Sequence, residues 1–221
     1  MARSVSNELP WSRMDRRRLK TRTALVAAAR SLFAEHPPQS VSITDITDAA
    51  DLAKGSFYNH FPDKDSLAEE LLVSIRQHVE SLVAQSNKGV TDPYLAVAQA
   101  ICTVLNFAVE DPQAASVLLR LTPNALSPKD PLYDGIASLI RMGHKQGQML
   151  DIGVEDGVII LAGTATMTLF RILEKPDDVQ LDILAISICA ALLRALGAPA
   201  QRSKTIAKTV LANLLRHKPA R

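Results

Sequence analysis

Apolar residues recur at helical spacing along almost the whole chain, and no stretch sustains the period of two that a strand requires. From about Arg16 to His36, the residues Leu25, Ala28, Ala29, Leu32 and Phe33 lie on one face of a helix. The segment HPPQS ends that helix, because Pro37 and Pro38 cannot continue it. Stops and caps of the same kind stand at EDP, LSPKDP, LDIG, EKPDD and LGAPAQ. They separate helices expected at about 92–110, 112–121, 131–147, 154–174, 178–196 and 203–216. The expected fold is all-α, a small N-terminal helical unit joined to a larger C-terminal bundle.

One short segment, LAKGSFYNHFPDKDSL from Leu52 to Leu67, weakens its own helix. Gly55 sits inside it, and glycine costs a helix about 1 kcal/mol relative to alanine. On a helical wheel Phe57 and Phe61 fall together as buried anchors, with Gly55, Ser56 and Asn59 opposite and Tyr58 and His60 on the flanks. Ser56 and Asn59 can donate and accept hydrogen bonds, and Tyr58, His60 and Lys64 can reach phosphates. Just before it, Ser42 can cap a helix that buries Ile43, Ile46, Ala49 and Ala50, and Asp51 tolerates the left-handed conformation of a sharp exit. Two short helices joined by a tight turn describe a helix-turn-helix over 42–61, its second helix aimed at a DNA major groove. Asp63 is a natural cap for the long helix that follows, with Leu67, Leu71, Ile75, Val79 and Leu82 on one stripe. The amides at the starts of the Ser42 and Asp63 helices add positive partial charge toward phosphates.

Charge supports an anionic partner. The net charge is only +2, but Arg13, Arg16, Arg17, Arg18, Lys20, Arg22 and Arg30 gather near the N-terminus, opposed there by Asp15 alone. Cys102 and Cys189 lie far apart in apolar helical patterns and are expected as buried free thiols, with no metal-ligand spacing around them. The chain opens on a polar stretch, and GVIILAGTATMTLF is too short and too rich in Gly and Thr to read as a membrane span. A soluble, cytoplasmic protein with no membrane partner is expected. No GxSxG, HExxH or phosphate-binding glycine loop occurs, so no catalytic residue, metal or cofactor is assigned.

The run TALVAAARSLFAEH, with VSITDITDAADLAKGSFYNHFPDKDSLAEELL after it, resembles the DNA-binding domain of TetR-family bacterial transcriptional regulators. The resemblance runs without a gap from about Leu19 to Val79, and KGSFYNHFPDKDSL is its most specific part. It implies a basic arm over 1–18, a DNA-binding domain over 19–79 and an effector-binding and dimerisation domain over 80–221. By position, Ser42, Lys54, Gly55, Ser56, Tyr58, Asn59, His60 and Lys64 fall where the family contacts operator DNA. Tyr58, His60 and Lys64 would mainly hold phosphates, and Lys54, Gly55, Ser56 and Asn59 would face bases. Thr47, Asp51 and Ala53 depart from the family's usual Ala, Gly and Ser or Thr.

The resemblance also implies a repressor that binds a pseudo-palindromic, double-stranded operator as a homodimer and is released by a small-molecule effector. The dimer would use the helices near 154–174 and 178–196, with Gly163, Ala165, Ala185 and Ala190 allowing close approach and Leu161, Leu169, Ile183, Ile186 and Leu193 giving buried area. The implied effector pocket has Cys102, Phe107, Leu118, Met142, Met149, Met167 and Phe170 as candidate lining, with His78, His144 and Arg171 as polar partners. Aromatic content of 4% favours an aliphatic or weakly polar effector over a flat cation. The alternative is a helical DNA-binding or protein-interaction module with no small-molecule effector.

Overall fold

The computed structural model describes residues 13–122, 131–150, 152–174 and 180–216, and every regular element among them is a helix. The chain divides into two compact units, Met1–Leu71 and Leu72–Arg221. The first unit holds α1 (Arg13–Glu35), a single 3-10 turn (Pro38–Ser40), α2 (Ile43–Ala49), α3 (Lys54–Tyr58) and the start of α4 (Lys64–Ser86). Helix α1 buries Leu25, Ala28, Ala29 and Phe33, the stripe expected from their spacing. Arg13, Arg16, Arg17 and Arg18 of the expected basic arm stand on this helix. Residues 1–12 of the expected arm lie outside the described residues.

Local chemistry fixes the turns of this unit. The Ser42 side chain accepts from the Asp45 amide at 3.1 Å, and the Asp45 carboxylate accepts from the Ser42 amide at 2.7 Å. This reciprocal box starts α2 and satisfies two of its free amides. Asp51 leaves α2 with φ of 54°, the left-handed exit foreseen for it. Thr47, where the family usually carries Ala, is buried, but its hydroxyl donates to the Ile43 and Thr44 carbonyls of its own helix. The departure therefore leaves no unpaired polar group. At the start of α4, the Asp63 carboxylate accepts from the Ser66 amide at 2.7 Å.

The second unit is organised around α5 (Pro93–Glu110), which packs against α6 (Pro112–Leu121), α7 (Pro131–Lys145), α8 (Val154–Glu174), α9 (Leu181–Ala195) and α10 (Ala200–Arg216). Asp92 and Asp111 cap α5 and α6, each followed by proline at the first helical position, where its missing amide costs nothing. Helices α5 and α8 are each long and apolar enough to cross a bilayer by length and composition. For α5 the apolar character matches its burial at the centre of the unit. Tyr94 ties the unit together: its hydroxyl donates to the Gln148 carbonyl, with the Leu196 carbonyl 3.4 Å away. Arg202 lies 5.0 Å over the Tyr94 ring and pairs with Asp92 at 2.8 Å, joining α10 to the start of α5.

The helices proposed for dimerisation divide their residues differently from the expectation. Leu161, Leu169 and Leu193 are buried in the unit's own core, as are Ala185 and Ala190. The helical repeat turns other residues outward: Ile159 is 63% exposed, Met167 63% and Ile183 62%. Tyr94→Phe removes the hydroxyl that links α5 to the Gln148 segment. It is expected to lower stability by about 1 kcal/mol in urea titration, helix content at zero denaturant being unchanged.

Candidate nucleic-acid interface

Helix α3 has five residues and no side-chain cap at Ala53, too little to persist alone. Its stability comes from Phe57 and Phe61, both buried, with ring centroids 5.8 Å apart. The Tyr58 ring stands edge-on to Phe57 at 5.6 Å and is 54% exposed. With the two phenylalanines turned inward, Lys54, Gly55 and Asn59 are exposed and Ser56 and His60 half-buried. These residues form one donor-bearing face. A Cβ built on Gly55 would meet nothing within 4 Å. The glycine is therefore not required by packing inside the protein, and its smallness serves the outer surface.

The charges around α3 come from α1. His60 is held below the ordinary imidazole value of 6.5, first by burial and then by the positive charges of Arg18 and Arg22. Arg22 is itself fixed: its guanidinium donates to both carboxylate oxygens of Glu70 and lies 4.6 Å over the Phe61 ring. This fork spans α1, the end of the α3 segment and α4. The Glu70 carboxyl is pulled below its ordinary value by that hydrogen bond, so its contribution to stability holds above pH 4.5 and is lost as pH falls through its lowered value. Both partners are more than a third exposed, so the pair contributes about 0.5–1 kcal/mol.

Lys64 has a second task that its sequence position does not announce. Its ammonium donates to the Pro38 and Val41 carbonyls, each at 2.7 Å, pinning the turn that leads into α2. Two of its three donors are thus committed inside the unit, leaving one to offer outward. Asp45, the second half of the capping box, was not singled out from sequence, although Ser42 followed three residues later by an acid carries that signal.

The residues suggested for an effector pocket are not brought together as a set. Cys102, Phe107, Leu118 and Met149 are buried and Met142 is half-buried. Met149 covers Gly143, and Phe107 meets the His78 ring at 6.0 Å. Met167 and Phe170 do not line the interior; they share the exposed side of α8 with Ile159. The structure also brings Cys102 and Cys189 together, and the neighbouring thiol and burial push the Cys189 thiol up. Among the described residues no group of three or more His, Cys, Asp or Glu could hold a metal ion.

The model of the bacterial regulatory proteins of the tetR family matches residues 25–71, which include α2, α3 and the start of α4. Over that stretch the chain is similar to the DNA-binding region of tetR-family regulators. The HTH-type transcriptional repressor KstR2 of Rhodococcus jostii is 43% identical over 51 residues, 23% of this chain and 25% of that protein. A protein of Escherichia coli K12 named "Probable acrEF/envCD operon repressor" is 27% identical over 121 residues, 53% of this chain and 54% of that one. The chain thus spans a quarter to about half of the length of these two relatives. A solved gamma-butyrolactone receptor (ArpA-like protein) superposes with a TM-score of 0.64 at 20% identity, covering 91% of this chain and 99% of that one. At that identity the likeness is one of fold, and it extends over both units.

Two predictions follow from α3. Gly55→Ala meets no clash and replaces the residue that weakens the helix, so thermal unfolding should show a gain of about 0.5–1 kcal/mol. The added methyl should nevertheless weaken DNA binding in gel-shift titration; unchanged affinity would remove Gly55 from the interface. His60 gives opposite signs for folding and binding. Its lowered value means stability is present above 6.5 and declines as pH falls, whereas a nearby phosphate would favour the charged ring. DNA affinity should therefore rise as pH drops below 6.5, and His60→Gln should flatten that rise.

Proposed function

We propose that the chain represses transcription by binding a pseudo-palindromic operator as a homodimer, and that a small-molecule effector releases it. The observation that carries the reading is the outward face of α3: Lys54, Gly55, Ser56 and Asn59 toward bases, with Tyr58 and His60 beside them toward phosphates. Ser42 lies at the exposed start of α2, and Lys64 adds its remaining donor. Arg13, Arg16, Arg17 and Arg18 on α1 supply further phosphate attraction without sequence preference. The repressive sign is supported by the names of both curated relatives, and the ligand response by the receptor among the solved structures. A cytoplasmic location goes with this reading, since the operator is there.

Dimerisation through α8 and α9 has its own support. Ile159, Gly163, Met167 and Phe170 follow one another at spacings of three and four along the exposed side of α8, and Ile183 is exposed on α9. Such an apolar stripe on a helix calls for a cover, and a second copy offers the same stripe in return.

Selection of bound duplexes from a random pool should enrich a sequence with two-fold symmetry; failure to enrich any sequence would overturn the operator reading. Against that duplex, Lys54→Ala and Asn59→Ala should each lose about 1–3 kcal/mol of discrimination at one base position per half-site. For assembly, the double variant Ile159→Asp and Met167→Asp should scatter light as a monomer with normal helix content and lose operator binding. Leu169→Asp, buried in the chain's own core, should unfold the second unit. A wild type that is monomeric at micromolar concentration would sink the dimer.

A further inference from the structure

Helices α5 and α9 pack against each other inside the second unit, and each carries one of the chain's two cysteines. The Tyr94 hydroxyl, at the start of α5, lies 3.4 Å from the carbonyl of Leu196, the C-terminal cap of α9. Packed helices that meet start to end run antiparallel. Cys102 stands eight residues beyond Tyr94 on α5, about 12 Å along the axis, and Cys189 seven residues before Leu196 on α9, about 10 Å. Both counts lead to the same height in the contact. One turn before each cysteine is a buried alanine, Ala98 on α5 and Ala185 on α9, so no bulky side chain at that turn holds the backbones apart. The thiols also act on one another. The neighbouring Cys189 holds the Cys102 thiol below its ordinary value, while the neighbouring Cys102 and burial push the Cys189 thiol up.

Burial narrows the chemistry open to this pair. Cys102 is 2% exposed and Cys189 1%, so a bulky charged disulfide or the thiol of another protein does not reach either sulfur in the folded chain. A small uncharged oxidant is the reagent suited to such a place, since Ile101, Leu105, Leu192 and Leu193, buried along the same two helices, are all apolar. It meets one sulfur favoured as thiolate and, beside it, one that keeps its proton, the division between an attacking and a resolving thiol. We propose that Cys102 and Cys189 are a redox pair, which a small hydroperoxide closes into a disulfide within the chain. Cys102 as thiolate attacks the terminal oxygen of the hydroperoxide; the O–O bond breaks, and the departing alkoxide takes up the proton that Cys102 gave up. The Cys189 sulfur then attacks the sulfur of the Cys102 sulfenic acid. The S–S bond forms, the S–O bond breaks, and hydroxide leaves with the Cys189 proton as water. Two thiols are oxidised to one disulfide, and the hydroperoxide is reduced to an alcohol and water. This inference does not depend on the operator, dimer or effector readings above.

The test uses the full-length protein, reduced beforehand and kept folded, with tert-butyl hydroperoxide as the probe and glutathione disulfide as the large, charged control. Because the chain has two cysteines in all, thiol counting in denaturant and intact mass together account for every sulfur that can pair. The hydroperoxide should remove both thiols together and lower the mass by two hydrogen atoms. The product should run as a single chain on a non-reducing gel, give one peptide pair joining Cys102 to Cys189, and recover both thiols in dithiothreitol. Glutathione disulfide should leave the folded protein unchanged. Two thiols that persist while free cysteine in the same solution is consumed would show an inert core and overturn the proposal. Oxygen adducts on the cysteines, chains linked to one another, or a glutathione adduct on folded protein would each overturn it as well. The roles are separated by isosteric variants whose helix content is checked first by circular dichroism. Cys189→Ser should accumulate sulfenic acid at Cys102, trapped by dimedone, and Cys102→Ser should leave Cys189 as a thiol; the reverse pattern would overturn the assignment of attacker and resolver. The wild-type result decides the pairing even where a variant does not fold.

Discussion

The burial of Phe57 and Phe61 is the interaction on which the DNA-reading face depends. A helix of five residues has hardly one turn of its own hydrogen bonds, and α3 has neither a side-chain cap nor a strong helix former at its second position. It exists because two aromatic rings at i and i+4 are held in the core formed with α1, α2 and the start of α4. That arrangement frees every other position of the helix from a structural duty. Gly55 can stay small, Lys54 and Asn59 can stay exposed, and Tyr58 is steadied by its contact with Phe57. The Arg22–Glu70 fork and the Lys64 clamp then set the elements that flank α3, so that a weak helix is presented in a fixed place.

Much of this was legible in the sequence because it is local. Helical periodicity, proline stops and aspartate caps place the boundaries of α5, α6 and α8 within a residue or so of where they stand. The left-handed exit at Asp51 and the inward turn of Phe57 and Phe61 follow from rules that reach only a few residues. What escaped is what depends on distant parts of the chain. Nothing near Lys64 in sequence says that its ammonium also holds the turn at Pro38 and Val41, 26 and 23 residues away. Cys102 and Cys189 read as two unrelated buried thiols, since nothing in their neighbourhoods says that α5 and α9 pack with those residues opposed. On α8, composition marks the whole helix as apolar, but which side faces the core is fixed by neighbours. Leu169, expected at a dimer surface, is buried in the unit's core, and Met167, expected in an interior pocket, is exposed.

The second unit contains two reversals of ordinary folding preference. Along α8 and α9, large apolar side chains face outward where polar ones would serve a lone chain better. On α4 and α5, the side-chain oxygens of Glu80, Gln99 and Thr103 are buried without a partner among the described residues, where aliphatic groups of the same size would cost less. Either reversal lowers the stability of an isolated protomer, and neither is imposed by the fold: α5 itself shows, at Ala96, Val97, Ala98 and Ile101, that the same helix can be packed with apolar residues. The exposed apolar side chains would become favourable on contact with an apolar helix face. In the N-terminal unit Gly55 is likewise a locally unfavourable residue, and it stands on an open surface with nothing of the protein within 4 Å of an added Cβ. On α8 and on α3 alike, the departure from self-sufficient packing lies on a surface open to another molecule.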